Sequence, residues 1–263
     1  MEANHFFLYL SYGLVALLVV ALVYVSWRIR LRMLHTVLVS IGRMAGQLLL
    51  VGLYMKWLFL CNSIWVNLLW VVLMAVVATV SVCRQARLRL GRMWLPVTVG
   101  LVATTVGVGL YVLFLLFRPA AMLDARYAVP VWGVLLGCMQ QVVGVALGEY
   151  YRSLRHNGQL YDYLLGNGAT HLEAVMPFVR QAVEKALQPL LASLSVAGIL
   201  SVPGLLLGQL MGGVMPVDAA VNVVVITLAS VFASVVSVLL TLYLADRRSF
   251  DCYGRLRQVW TKR

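Results

Sequence analysis

The residues best suited to chemistry stand where water is scarce. Arg43 and Gln47 are four apart inside a long apolar run, so a helix places both on one face. Lys56 follows near the far end of the same run. An ionised side chain near the bilayer centre costs about 3 kcal/mol or more unless it is paired or hydrated. Lys56 can snorkel to the interface. Arg43 either snorkels or pairs structurally, or it faces a bundle interior with Gln47 and shapes a gate or polar pathway. A guanidinium is a poor ligand for a bare cation, so coordination is not its expected role. A second group, Ser201, Pro203, Gly204 and Gln209, interrupts another apolar run. Pro203 removes a backbone donor and Gly204 loosens the next turn. A kink there frees carbonyls that must meet a neighbour, water or a passing solute. These residues form the candidate hinge or pathway lining, with close helix packing as the plainer reading. No His, Cys or carboxylate group has metal-ligand spacing, and any metal-binding residues stay unassigned. Hydrolase motifs and a phosphate-binding loop are missing, and Gly is nowhere followed by Lys. The four cysteines include no CxxC pair.

The elements that must carry these residues follow from composition. Of 263 residues, 62% are hydrophobic and only 11% charged. A soluble domain is about half apolar and a quarter charged. The chain is expected to be an all-α polytopic membrane protein, a single transmembrane domain over 1–263. Seven spans are expected at about 6–27, 36–60, 65–83, 95–117, 129–148, 189–212 and 219–244, each near the ~20 residues a helix needs to cross a bilayer. The N-terminal run lacks a basic leader and is read as a transmembrane helix, not a cleaved signal. The net charge of +12 comes from clusters between apolar runs. Arg28 to Arg32, Arg84 to Arg92, Arg152 to Lys185 and Arg247 to Arg263 fall on one side, against Arg118 and Arg126 on the other. Positive-inside bias then puts the N-terminus outside and the C-terminus in the cytoplasm. The clusters read as topology signals and anionic-lipid contacts, not as a nucleic-acid surface.

The longest polar stretch, 149–188, lies between the fifth and sixth expected spans. It breaks at Asn157-Gly158, resumes as a short helix from Gln159 to Leu165, and turns at Gly166-Asn167-Gly168. Thr170-His171-Leu172-Glu173 has the pattern of a capping box. Val175, Phe178, Val179, Ala182 and Ala186 then recur at helical spacing, with Arg180 and Glu184 off that face. Pro177 is expected to kink this helix or divide it. Glu149 is expected to pair with Arg152. The segment reads either as an interfacial anchor or as a docking element for a cytoplasmic partner.

Asp162-Tyr163-Leu164-Leu165-Gly166-Asn167-Gly168-Ala169-Thr170 resembles a diverged E-A-A-x-x-x-G loop of ABC-transporter permeases, with Asp162 in place of the Glu and Gly168 in place of the Gly. Tyr163-Leu164 replaces the two alanines. Gly42 to Gly52, Lys56-Trp57-Leu58-Phe59, Val196 to Gly204 and Gly208-Gln209 extend the resemblance over roughly residues 8–250. Together they are similar to the small iron-export-type (FetB-like) ABC permease family. That resemblance implies a cytoplasmic coupling helix carrying Asp162, Tyr163, Leu164, Gly168, Ala169 and Thr170. It implies a separate ABC ATPase subunit that binds ATP and Mg, a homodimer of this chain, and a place in the inner (plasma) membrane. It further implies a non-enzymatic chain with no cofactor of its own, and export of a metal such as iron. A secondary carrier or an intramembrane enzyme is the alternative. Against both, the nine acidic residues all fall outside the expected spans or at their ends.

Overall fold

The computed structural model describes residues 34–61, 63–116, 124–198 and 202–250, with scattered positions between 17 and 28. Most of the expected first span, Ser201 and the basic residues beyond 250 lie outside the described residues. The chain divides into two compact units, residues 1–60 and 61–263. The first holds nearly all of α1 (Leu34–Cys61). The second holds α2 (Ile64–Gln85), α3 (Leu90–Leu116), α4 (Ala125–His156), α5 (Gly158–Gly166), α6 (His171–Ser195), α7 (Gly204–Met211) and α8 (Pro216–Ser249). Among the described residues, α1, α2, α3, α4 and α8 are long and apolar enough to cross a membrane. The protein is therefore a helical, multi-pass membrane protein.

Contacts in the second unit fix the helix directions. Met74 packs at Gly133, Gln85 at Gly144 and Ala86 at Gly148, so α2 and α4 run parallel. Thr79 and Thr98 share a hydroxyl hydrogen bond of 2.9 Å across the antiparallel α2–α3 pair. Trp132 lies against Gly109, and Tyr151 reaches Met93, so α3 opposes α4. Tyr111 and Leu115 at the far end of α3 line one groove with Val225 and Leu228 near the start of α8. Tyr150 and Tyr151 meet Asp246 and Ser249, so α4 and α8 end together. That shared end gathers Arg84, Arg92, Arg152, Arg155, Arg247 and Arg248, which the sequence places on one side.

Two parallel helices, α4 and α8, require the chain between them to return to the far end. The expected sixth span, 189–212, is not one helix. α6 stops at Ser195, Gly198 adopts φ 91°, and α7 starts afresh at Gly204. Gly198 tolerates that left-handed backbone because it has no Cβ. Pro203 is the cap before α7 (φ −57°, ψ 136°), not a kink inside a continuous span. Its ring blocks helix hydrogen bonding upstream but is harmless at a helix start. Pro177 behaves differently: α6 continues through it as one helix of 25 residues.

α8 approaches its neighbours through small residues. Ser230, Ala233, Ser234, Ser237 and Ala245 are buried on it. Gly100 of α3 faces Thr241 so closely that an added Cβ would lie against its hydroxyl and 3.3 Å from its Cα. Gly100→Ala must therefore push α3 and α8 apart, at a cost of about 1–3 kcal/mol. Gly107→Ala, where a Cβ meets nothing within 4 Å, should be neutral or slightly stabilising. Thermal unfolding in detergent should show a lower midpoint for the first variant only; equal midpoints would mean that the seam is loose.

Candidate functional site

The site lies where the chain leaves α4 and re-enters through α6. Asn157 ends α4 by breaking the helix, and α5 follows over nine residues. The turn after α5 uses Gly168 at φ 84°, with Gly168 N–H donating to Leu165 O at 3.0 Å and Ala169 N–H to Leu164 O at 3.1 Å. The capping box then forms in full. Thr170 N–H donates to Glu173 Oε2 at 2.8 Å, and Glu173 N–H donates back to Thr170 Oγ1 at 3.4 Å. The Thr170 backbone bond, with the Thr170 hydroxyl second, holds the Glu173 carboxyl below its usual 4.5.

α6 seats the expected face. Val175, Phe178, Ala182 and Ala186 are buried and Val179 is half-buried, while Arg180 and Glu184 are exposed. This face packs on α4, and polar bonds frame it. Ser153 Oγ donates to Gln181 Oε1 at 2.8 Å. Glu149 accepts from Arg152 at 3.3 Å, as expected, and also from Lys185 on α6. Arg152 is largely exposed, so its pairing contributes little.

α5 shows two faces. Tyr161 is buried and Leu164 and Leu165 are half-buried, whereas Leu160, Asp162 and Tyr163 are exposed. Thus Asp162, Tyr163 and Gly168 lie at the surface of the second unit, Thr170 caps α6, and Leu164 anchors the segment.

Sequence reasoning missed the centre of the site. Asp246, nearly fully buried on α8, accepts a hydrogen bond from Tyr150 OH on its Oδ1 at 2.7 Å. Its Oδ2 lies 2.7 Å from His171 Nε2. His171 Nδ1 is 2.9 Å from Tyr161 OH. If Tyr161 donates to Nδ1, the remaining ring proton on Nε2 points at the carboxylate. Burial, then the charges of Asp246 and Asp162, raise the Tyr161 hydroxyl above its ordinary pKa, so it keeps its proton at neutral pH. Phe250 closes over the pair, with ring centroids 4.6 Å from His171 and 5.5 Å from Tyr161. Tyr151 OH meets Ser249 Oγ at 2.5 Å. One carboxylate thus joins α4, α6 and α8, with α5 attached through Tyr161. No spacing rule links His171 to Asp246, 75 residues apart. The available hint was an acid placed just before the basic Arg247-Arg248 pair that ends an apolar run.

The pathway candidates are divided between the two units. Arg43 and Gln47 share one helix face on α1 and are exposed. Gly204 opens α7, and Gln209 on α7 has a buried Oε1 with no hydrogen-bond partner. No three of His, Cys, Asp and Glu gather among the described residues in a way that could hold a metal ion.

The uncharacterised protein family UPF0014 matches residues 9–250. The chain belongs to that family. Its relatives include the "Probable iron export permease protein FetB" of Escherichia coli (strain K12), 24% identical over 94% of this chain and 93% of the relative. "Protein ALUMINUM SENSITIVE 3" of Arabidopsis thaliana is 28% identical over 87% and 83% of the two chains. The "UPF0014 membrane protein slr1647" of Synechocystis is 26% identical over 82% and 83%. No solved structure matches the chain. The expected FetB-like resemblance thus holds over most of the sequence.

The cap yields a prediction. A depressed carboxyl stabilises the fold above its unfolded pKa, and that contribution vanishes as pH falls through the lower folded value. Protection of the amides of residues 171–174, corrected for intrinsic exchange, should therefore drop on acidification below the usual carboxylate range. Thr170→Ala should lower it at neutral pH by about 1 kcal/mol. Unchanged protection in both cases would remove the box as the anchor of α6.

Proposed function

We propose that this chain is the membrane-spanning subunit of an ABC transporter that exports a metal ion, with iron as the first candidate. ATP and Mg bind a separate cytoplasmic ATPase subunit, and two copies of this chain form the transmembrane body. The carrying observation is the α5–turn–α6 segment: a short helix with Leu160, Asp162 and Tyr163 exposed, held from behind by buried contacts. A helix so mounted can receive a push without unfolding. Its position at the end that gathers the arginines supports a cytoplasmic location. On this reading the first span and the broken α6–α7 crossing bring the five long helices to seven, with the N-terminus outside, in the inner or plasma membrane. Arg43, Gln47, Ser201, Pro203, Gly204 and Gln209 remain the proposed pathway or hinge residues. The permease name of the FetB relative supports transport over an enzymatic role.

The test is purification of the tagged protein from native membranes in mild detergent. A stoichiometric ATPase subunit, with hydrolysis altered by iron(II), is the expected result. A lone polypeptide, under conditions that preserve other membrane complexes, would overturn the proposal in favour of a secondary carrier.

Gly168 offers a sharper variant. Its φ of 84° is a conformation a β-branched residue resists, while no atom lies within 4 Å of an added Cβ. Gly168→Val therefore strains only the backbone, by about 1–2 kcal/mol. The expected outcome is normal insertion and ATPase binding with fewer ions moved per ATP, measured as iron-55 accumulation in inside-out vesicles. Wild-type stoichiometry would show that the turn plays no part in coupling.

A further inference from the structure

The α5–α6 segment has two attachments of different character. Against α4 it lays a broad apolar face, Val175, Phe178, Ala182 and Ala186, framed by the Ser153–Gln181 and Glu149–Lys185 bonds. Against α8 the polar link among the described residues is concentrated at one carboxylate, with Phe250 stacked beside it. Asp246 uses both oxygens on different helices, Oδ1 for Tyr150 of α4 and Oδ2 for His171 of α6. If α6 turns on α4, either the His171 bond breaks, or α8 follows and the Tyr150–Asp246 and Tyr151–Ser249 bonds to α4 must readjust. Breaking the His171 bond leaves a nearly buried carboxylate short of a partner, a costly outcome at low dielectric. The two tyrosine hydroxyls, by contrast, sit at the ends of long side chains that can track a small shift of α8. Following is eased by the small buried side chains of α8, Ser230, Ala233, Ser234, Ser237 and Ala245, which alternate with the larger Val223, Ile226, Val238 and Leu242. The small positions reduce the interlocking that opposes the small sliding of packed helices by which domains shear.

We infer that the His171–Asp246 pair is the joint through which the α5–α6 segment moves α8. Both are positioning residues, and Tyr161 holds the His171 ring in register. The assignment rests on the permease reading above and adds to it the route of the motion. α8 is the driven element, and α4 is the surface on which the segment turns.

The experiment uses the complex of this chain with its ATPase subunit in lipid nanodiscs. Hydrogen exchange is followed with and without ATP and vanadate, in peptides covering α5–α6 and the last turns of α8. In the wild type both regions should change exchange when vanadate traps the nucleotide. In His171→Phe and Asp246→Leu, neither of which can make the bond, the α5–α6 response should persist and the α8 response should be lost. The double variant should be no worse than either single one, because both remove the same bond. Tyr161→Phe, which removes only a hydroxyl, should give a partial loss and guards against variants that fail to assemble. A merely structural pair would shift exchange in the nucleotide-free state and leave the nucleotide response of α8 intact; that result overturns the joint. So does a wild type in which α5–α6 responds and α8 does not. If no ATPase subunit assembles with the wild type, the permease reading itself fails, and the inference falls with it.

Discussion

Asp246 lies one turn inside the end of an apolar helix, where an unpaired carboxylate would cost several kcal/mol. The arrangement around it follows from meeting that demand. Tyr150 must stand on α4 level with the last turn of α8, and α6 must begin where His171 can reach the second oxygen. The capping box at Thr170 fixes the start of α6 one residue before the histidine. The glycine turn then sets how far α5 stands from the bundle, and Tyr161 closes the arrangement from that side. Satisfying one acid thereby determines the relative placement of four helices.

The second constraint is directional. α4 and α8 run parallel, so the intervening chain must traverse the bundle once, and it does so in pieces. A non-helical backbone at membrane depth is tolerated where protein or a water-filled cavity covers it. The break between α6 and α7 falls within the stretch 196–204 that the sequence marks by its Gly and Pro content, with 196–198, 202 and 203 described. Composition and break agree in location, though the helix stops there instead of bending.

Much of this was legible in the residues. Apolar run length gave α1, α2, α3, α4 and α8 to within a few residues at most ends, because a spanning helix is a one-dimensional signal. The helix–turn–helix and its box were legible because capping is local, involving residues three apart. The buried stripe of α6 was legible because its period is that of the helix. The clasp was not. It depends on α4 and α8 ending together, which depends on how four helices stack, and no local rule carries that information. The broken crossing was misread for a related reason: hydropathy over 189–212 is continuous, and it reports solvent preference, not backbone conformation. α8 also extends past its expected end at 244 to Ser249, since the polar turn bearing Asp246 is buried by partners instead of being solvated.

The shortness of α7 bears on how the protein is made. Eight residues rise about 12 Å, under half the hydrocarbon thickness. A helix that short cannot by itself satisfy the backbone across the hydrocarbon core, although the apolar run that contains it is long enough. It packs on α8, which follows after a connection of four residues, 212–215. α7 thus waits for α8 to pack on, and α8 must arrive before Asp246 can meet His171.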